Sequence, residues 1–209
     1  MKITPIPALD FFEFNSSYEL ANATLDDIKN SDLIWDHENK LAYKKNNVYY
    51  YEPLFDWFQD CLDKIDDHLL PKDDEKFKLS ICDCWINRQK LGESTYLHVH
   101  SMSVMSGVYY LHDSATKTKF FIPNLNINDG SSIFGNIKNT LKLYEVTPEK
   151  GKLIIFPSHI KHSVDIHRNM STRYTIAFNL FYSGIMSVNY SSQLEIKVKD
   201  VKSKYLGDL

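Results

Sequence analysis

From residue 77 onward the chain breaks into short runs of β-branched and aromatic residues, and no other feature restricts its fold as strongly. The runs cover 77–87, 95–100, 104–111, 117–122, 140–147, 152–156, 172–182 and 193–198, with turn-forming residues between most of them. Phe77-Lys78-Leu79-Ser80-Ile81 alternates apolar and polar positions, the pattern of a strand with one wet face. Ser106–Leu111 and Thr175–Phe181 are nearly continuous apolar runs, as in strands covered on both sides. Asn124 to Asn136 is rich in Asn, Ser and Gly and is expected to form a long loop shaping the entrance to any site.

The first third reads differently. Residues 1–13 are expected to be an extended lead-in, confined to a sheet edge by Pro5 and Pro7. Leu20, Leu25 and Ile28 fall near one stripe of a helix over Ser17–Lys29. Residues 31–52 are expected to be loop-rich, with Asn46-Asn47 a turn before Val48-Tyr49-Tyr50-Tyr51. Pro53 opens the clearest amphipathic helix, in which Leu54, Trp57, Phe58, Cys61, Leu62 and Ile65 recur at three- and four-residue steps until Pro71 stops it. Helices followed by about eight strands predict a mainly β fold, an antiparallel sandwich or barrel buttressed by N-terminal helices. No internal repeat or linker is visible. The expected organisation is one domain over 1–209, with 1–76 the buttress and 77–200 the β core.

Composition narrows the class further. A formal charge of −3 gives no general attraction to nucleic acid or to an anionic membrane. No run of about 20 apolar residues is present, and the N-terminus lacks the apolar core of a signal peptide, so a cytoplasmic location is expected. Cys61, Cys82 and Cys84 are too few and too uneven for a disulfide framework. Cys82 and Cys84, flanking Asp83, are expected to share one strand face as buried small apolar residues rather than as metal ligands.

One set of polar residues stands out against this frame. His98 and His100 lie two apart in a β-rich stretch, which projects both imidazoles from one face. His162 follows the apolar run Lys152–Phe156 and the corner Pro157-Ser158, and Arg173 lies eleven residues further on. Three imidazoles and one guanidinium on neighbouring strands can hold a divalent metal with an organic acid beside it. The remaining histidines, His37, His68, His112 and His167, are read as structural or solvated, and His159 as packing at the corner or touching substrate. Trp57 and Trp85 are expected in the core, and Asp83 and Asp165 at the surface or capping loops.

Around these residues the chain resembles a known family. Gly92 five residues ahead of His98-x-His100 is similar to the start of the first cupin motif, and Gly151, Pro157 and His162 are similar to much of the second. Trp85-Ile86-Asn87, His98-x-His100, Ser106-Gly107-Val108-Tyr109-Tyr110-Leu111, Gly151-x-Leu153-x-x-Phe156-Pro157-Ser158-x-x-x-His162-x-Val164 and Arg173-x-x-Ile176-x-Phe178-Asn179 together resemble the 2-oxoglutarate/Fe(II) oxygenases of the double-stranded β-helix (cupin-like) superfamily. The resemblance covers about residues 85–182. It implies a jelly-roll core, Fe(II), 2-oxoglutarate as co-substrate, O2, and a small-molecule or peptide substrate that is hydroxylated. It makes His98 the first iron ligand, His162 the distal one and Arg173 the partner of the 2-oxoglutarate distal carboxylate. An Arg fork suits a carboxylate on chemical grounds as well. Thr175 lies on the same strand face to add a hydroxyl, and Tyr96, Tyr109 and Asn87 are candidates for further hydrogen bonds to the co-substrate.

The chain departs from the superfamily at one position. The usual second ligand is a carboxylate two residues after the first histidine, and here that place is His100. Either His98, His100 and His162 form a three-histidine site, or His100 alone serves as the first ligand; the reading adopted takes both as ligands. Two other functions stay open on the sequence: a cupin-type three-histidine enzyme that does not use 2-oxoglutarate, and a non-catalytic cupin-like binding module. The former leaves Arg173 without a task.

Overall fold

The computed structural model describes residues 1–6, 9–36, 38, 40–69, 77–123, 141–188 and 192–207. Its frame is a wound pair of antiparallel sheets. Eight strands form the core: β5 (Phe77–Gln89), β6 (Thr95–His98), β7 (Met105–Tyr110), β8 (Thr118–Pro123), β9 (Leu141–Val146), β10 (Lys152–Pro157), β11 (Lys161–Val164) and β12 (Arg173–Val188). β10, β7, β12 and β5 lie side by side in the large sheet, and β6, β11, β8 and β9 make the small one. The chain passes from one sheet to the other at nearly every connection, which gives the double-stranded β-helix, or jelly roll, expected from the sequence.

The large sheet extends at both ends. A hairpin of β1 (Lys2–Ile6) and β2 (Leu9–Asn15) adds beyond β10, so the single lead-in strand expected over 1–13 is two, with β1 on the edge. On the far side β3 (Ile34–Asp36) and β4 (Leu41–Tyr43) continue the sheet from β5, where a loop-rich segment was expected. At three residues each they are too short for alternation to register in a sequence. Asn46 and Asn47 do turn the chain, both with φ near +50 to +60° (51° and 58°), a conformation Asn tolerates better than most residues. β13 (Ser192–Ile196) pairs with β12, and a short helix α3 (Val201–Leu206) follows, capped by Asp200 and ended by Gly207 at φ 83°. The segment expected to loop over Asn124–Asn136, Pro71 and His37 lie outside the described residues.

Both expected helices form. α1 (Tyr18–Asn30) is capped by Ser17, whose Oγ accepts from the Leu20 amide at 3.2 Å. It buries Ala21, Thr24, Leu25 and Ile28 at helical spacing. α2 (Glu52–Leu69) buries Leu54, Phe58, Cys61, Leu62 and Ile65, with Trp57 half-buried at the stripe's margin. These side chains meet one face of the large sheet through Cys84, Ile86, Tyr109, Leu153, Ile155, Ile176 and Phe178. Each fully buried Leu, Ile or Phe contributes about 1.5–3 kcal/mol, so this layer fixes the helices against the sheet. The opposite face looks into the sandwich, where Tyr110, Ile154 and Phe156 meet Phe120 and Ile122 of the small sheet in a second apolar cluster.

Period-2 alternation therefore sorts the strands cleanly. On β12, Ile176, Phe178 and Leu180 face the helices, and Arg173, Thr175, Ala177 and Asn179 face the interior. The alternation breaks once on β5. The pairing of β5 with β12 skips Cys82, between Asn179↔Asp83 and Leu180↔Ile81. This bulge puts Cys84 in the helix-facing core and turns Cys82 aside, with Sγ against the Asn179 carbonyl at 3.3 Å. Cys82 and Cys84 thus do not share a face as expected. All three cysteines are free, and no described helix is long and apolar enough to cross a membrane.

Candidate metal and anion site

The three histidines converge at the open end of the sandwich. His98 ends β6 and His162 lies on β11; the two are cross-strand partners, with ring centroids 4.1 Å apart. His100 follows β6 and its ring centroid lies 5.2 Å from that of His98 and 5.0 Å from that of His162. One ligand atom of each lies within 4.8 Å of the others, a spacing one metal ion can bridge. The strand carrying His162 escapes sequence reading because Lys161–Val164 has only four residues and follows a turn. Gly92 and Gly151, the glycines of the two motifs, hold φ of 83° and 85°, a left-handed conformation that glycine adopts without strain.

Each imidazole is held from behind by an oxygen. Nδ1 of His98 is 2.7 Å from the Tyr96 carbonyl, and Nδ1 of His162 is 3.0 Å from the Ile160 carbonyl. Nδ1 of His100 is 2.6 Å from Oδ1 of Asn179. A carbonyl oxygen only accepts, so Nδ1 carries the proton and Nε2 keeps its lone pair. That is the arrangement in which ligating histidines are held in metalloproteins. Burial increases from His98 through His100 to His162, which is 6% exposed. Burial, reinforced by the neighbouring His98, pushes the His162 pKa down to about 3. Burial also lowers that of His100, against the opposing hydrogen bond that it donates to Asn179. Neutral imidazole is the ligating form, so these two present no proton to displace near neutrality.

Arg173 lies at the base of the same cavity, 4% exposed, beneath an inner space of about 70 Å³ that the three histidines also line. Its Nη1 donates to Oε1 of Gln89 at 2.6 Å, and its guanidinium lies 5.6 Å from the Tyr110 ring centre. Nε and Nη2 of Arg173 and Nε2 of Gln89 are buried without a hydrogen-bond partner among the described residues. Gln89 is 3% exposed and faces Arg173 across the β5–β12 pair. Burial lowers the Arg173 pKa, although arginine stays charged in proteins. A buried cation with unsatisfied donors costs several kcal/mol unless an anion reaches it. Three donor nitrogens on residues that line one cavity fit a carboxylate.

The other residues expected at the site divide. Thr175, 3% exposed, lines the inner cavity next to Arg173, and Asn87 lines it with Oδ1 accepting from Trp85 Nε1 at 3.1 Å. Tyr109 faces the other way. Its hydroxyl is 2.7 Å from Ser16 Oγ and its ring packs on Trp57 and Phe58 beneath the helices. The tyrosine on the inner face of β7 is Tyr110, which alternation places one residue on. Tyr96 contributes its carbonyl to His98, but its side chain is 87% exposed and borders only the outer cavity, of about 410 Å³. Trp85, expected in the core, lines both cavities instead, its ring centroid 5.6 Å from that of His100. His159 is exposed and lines neither cavity, and Asp165 pairs with Lys119 at 2.7 Å. His167 is buried and bonded at both nitrogens, to Thr116 and the Ser171 carbonyl, as a structural histidine. Gln89 was not singled out in the sequence, and Asn179 appeared there only as the last residue of the Arg173-x-x-Ile176-x-Phe178-Asn179 motif, with no role of its own; what places them at the site is register opposite Arg173 for the first and an even step from it for the second.

Comparison with known proteins agrees with this geometry. Residues 83–179 match the family model described as "Putative 2OG-Fe(II) oxygenase". No curated protein matches the chain. Among solved structures the chain is similar to HygX from Streptomyces hygroscopicus with nickel and 2-oxoglutarate bound. That pair is 12% identical over 81% of this chain and 82% of the other, with a TM-score of 0.53. A Pseudomonas putida prolyl-4-hydroxylase is 15% identical over 81% of this chain and 91% of its own, with a TM-score of 0.51. A Trichoplax adhaerens prolyl hydroxylase, in complex with a hypoxia inducible factor peptide fragment, is 15% identical over 82% and 83%, with a TM-score of 0.52. At these identities the structural likeness establishes the fold.

Proposed function

We propose, on the family match over residues 83–179 and the site's geometry, that the chain is a 2-oxoglutarate/Fe(II) oxygenase in which His98, His100 and His162 hold one Fe(II) while Arg173, Gln89 and Thr175 bind the distal carboxylate of 2-oxoglutarate. The enzyme is a 2-oxoglutarate/Fe(II)-dependent oxygenase. The observation that carries the residue assignment is the Arg173 guanidinium, buried in the cavity that the three imidazoles line with two of its nitrogens lacking a partner among the described residues. A cupin-type enzyme without 2-oxoglutarate has no use for that cation, and a plain binding module has no use for three converging Nε2 lone pairs.

Fe(II) with 2-oxoglutarate supplies oxygen activation coupled to oxidative decarboxylation of the co-substrate, giving succinate and carbon dioxide. The protein's own part is positioning. The backbone carbonyls of Tyr96 and Ile160 and the Asn179 amide fix three imidazoles on one centre. Imidazole ligands would bring no negative charge, so a dianionic co-substrate would offset the charge of the ion. Arg173 and Gln89 would anchor the distal carboxylate of the co-substrate, and the apolar cluster around Phe120 and Phe156 would keep water from the inner end. The outer cavity, bordered by Trp85, Tyr96, Arg88 and Lys40, receives the substrate, a small molecule or peptide side chain, next to His98 and His100. Hydroxylation of a C–H bond there is the reaction we assign.

The test is anaerobic titration of Fe(II)-loaded protein with 2-oxoglutarate, read by the metal-to-ligand charge-transfer absorption, followed by succinate release in air. Saturable absorption and succinate formation are expected. Protein that binds Fe(II) but neither binds 2-oxoglutarate nor forms succinate overturns the reading.

A further inference from the structure

His100 differs from the other two histidines in how it is held. Backbone carbonyls, which cannot turn, orient His98 and His162. A side-chain amide orients His100, and an amide can present either its oxygen or its nitrogen. We infer that Asn179 is a positioning residue for His100, locked with its oxygen toward Nδ1 by a chain of serine hydroxyls, and that this chain selects the His100 tautomer able to bind metal.

The chain is continuous and largely buried. Ser103 Oγ donates to Ser158 Oγ at 2.6 Å, Ser158 Oγ and Ser106 Oγ are 2.7 Å apart, and Ser106 Oγ donates to Asn179 Oδ1 at 3.0 Å. Ser106 and Ser158 are fully buried. Asn179 Oδ1 thus accepts twice, from Ser106 and from His100 at 2.6 Å. With every hydroxyl donating toward Asn179, the His100 proton must sit on Nδ1, and Nε2 offers its lone pair to the centre. Turning the amide over reverses every donor in the chain. Nδ2 then donates to Nδ1, the His100 proton moves to Nε2, and an N–H points where a ligand is needed.

The backbone ties the same elements together. The His100 amide donates to the Ser158 carbonyl at 3.0 Å and the Ser158 amide to the Val104 carbonyl at 3.1 Å. Ser106 and Asn179 are cross-strand partners of β7 and β12. The bulge at Cys82 lies opposite Asn179, where such irregularities re-aim a side chain. One strand face therefore serves both halves of the site, with Arg173 for the anion and, six residues on, Asn179 for the histidine that occupies the place of the superfamily's usual carboxylate.

This inference rests on the metal reading above, and its test separates the two. The tautomer of each histidine is read in metal-free, 15N-labelled protein at pH 8 from long-range proton–nitrogen correlation spectra, and Co(II) affinity is measured by optical titration. In wild type His100 is expected with its proton on Nδ1. Asn179→Asp keeps an acceptor and should keep that tautomer. Asn179→Ala should move the proton toward Nε2 and weaken Co(II) about 10–100-fold, the usual cost of losing a partner behind a ligand. Ser158→Ala should populate both tautomers, which keeps the test open if Asn179→Ala fails to fold. Wild-type His100 protonated on Nε2, or an Asn179→Ala variant with unchanged tautomer and Co(II) affinity, overturns the inference. If the tautomers respond as expected and wild type binds no divalent ion, the metal reading falls and the assignment of Asn179 as the tautomer-selecting partner stands.

Discussion

Gln89 and Arg173 are cross-strand partners at the ends of β5 and β12, and the amide oxygen of the first accepts a 2.6 Å hydrogen bond from Nη1 of the second. The pair leaves Nε and Nη2 of Arg173 and Nε2 of Gln89 as donors with no partner among the described residues. Arg173→Ala removes a charge-assisted contact to a desolvated anion. Such losses cost on the order of 2–5 kcal/mol, roughly thirtyfold to several thousandfold in 2-oxoglutarate affinity. Fe(II) occupancy should not change, because arginine supplies no metal ligand. Arg173→Lys should recover only part of the loss, since a point charge does not reproduce the fork.

Gln89→Glu gives the opposite experiment. It places a carboxylate 2.6 Å from Nη1 and pairs the buried guanidinium internally. Thermal stability should rise and 2-oxoglutarate binding should be lost, measured by melting temperature and by anaerobic titration. A variant that binds 2-oxoglutarate as tightly as wild type would show that the anion does not use this wall of the cavity.

His98→Ala and His162→Ala should each abolish stoichiometric Fe(II) binding while far-ultraviolet circular dichroism stays native. The two residues sit on different strands, and each offers one nitrogen to the same point. His100→Ala should also lose the metal, and His100→Asp should retain it by restoring a carboxylate ligand. Unchanged metal content in any of the three alanine variants removes that residue from the ligand set.

Gly107 is fixed by its neighbour on the next strand. A Cβ there would lie 2.1 Å from Cζ of Phe178, whose ring covers the glycine across the β7–β12 pair. Gly107→Ala should destabilise the fold by about 1–3 kcal/mol through overpacking, read as a lower urea midpoint. Phe178→Leu in the same chain should recover part of the loss. A single variant as stable as wild type shows that the ring moves freely.

Asp66 links stability to pH. Burial raises its pKa to about 6, against the opposing hydrogen bonds from the Leu79 amide at 3.1 and 3.3 Å. The folded state holds this proton more tightly than the unfolded chain does. Its stabilising contribution is therefore full below the ordinary aspartate value of 3.8, is lost as pH rises to about 6, and stays lost above. Asp66→Asn keeps an acceptor for Leu79 and removes the charge. The variant should be the more stable protein at pH 7, by about 1–2 kcal/mol, with the difference shrinking toward pH 4. Parallel urea curves for the two proteins from pH 4 to 7 check this, and a constant offset counts against it.

Local pattern determined much of this protein. Helical spacing in Leu54, Phe58, Cys61, Leu62 and Ile65 and the Ser17 cap specify α2 and α1 before any tertiary contact forms, because the apolar stripe and the cap are properties of nearby residues. Short β-branched runs specify most strands of the jelly roll for the same reason. The pairing His98-x-His100, the corner before His162, and Arg173 were legible because their chemistry is unusual for strand residues. Tertiary structure decided what depends on phase and on distant partners. Which of Tyr109 and Tyr110 faces the site is a matter of one residue of register against β10 and β12. The separation of Cys82 from Cys84 follows from a bulge that exists only when β5 pairs with β12. β3, β4 and β11 are too short to carry a period; β4 and β11 become strands because a longer strand offers them hydrogen bonds, and β3 because β4 in turn offers its free edge. Gln89 and Asn179 look ordinary in the chain. Their roles arise when folding buries Arg173 and His100 next to them, where a polar group without a partner is costly and the choice of partner fixes what each can bind.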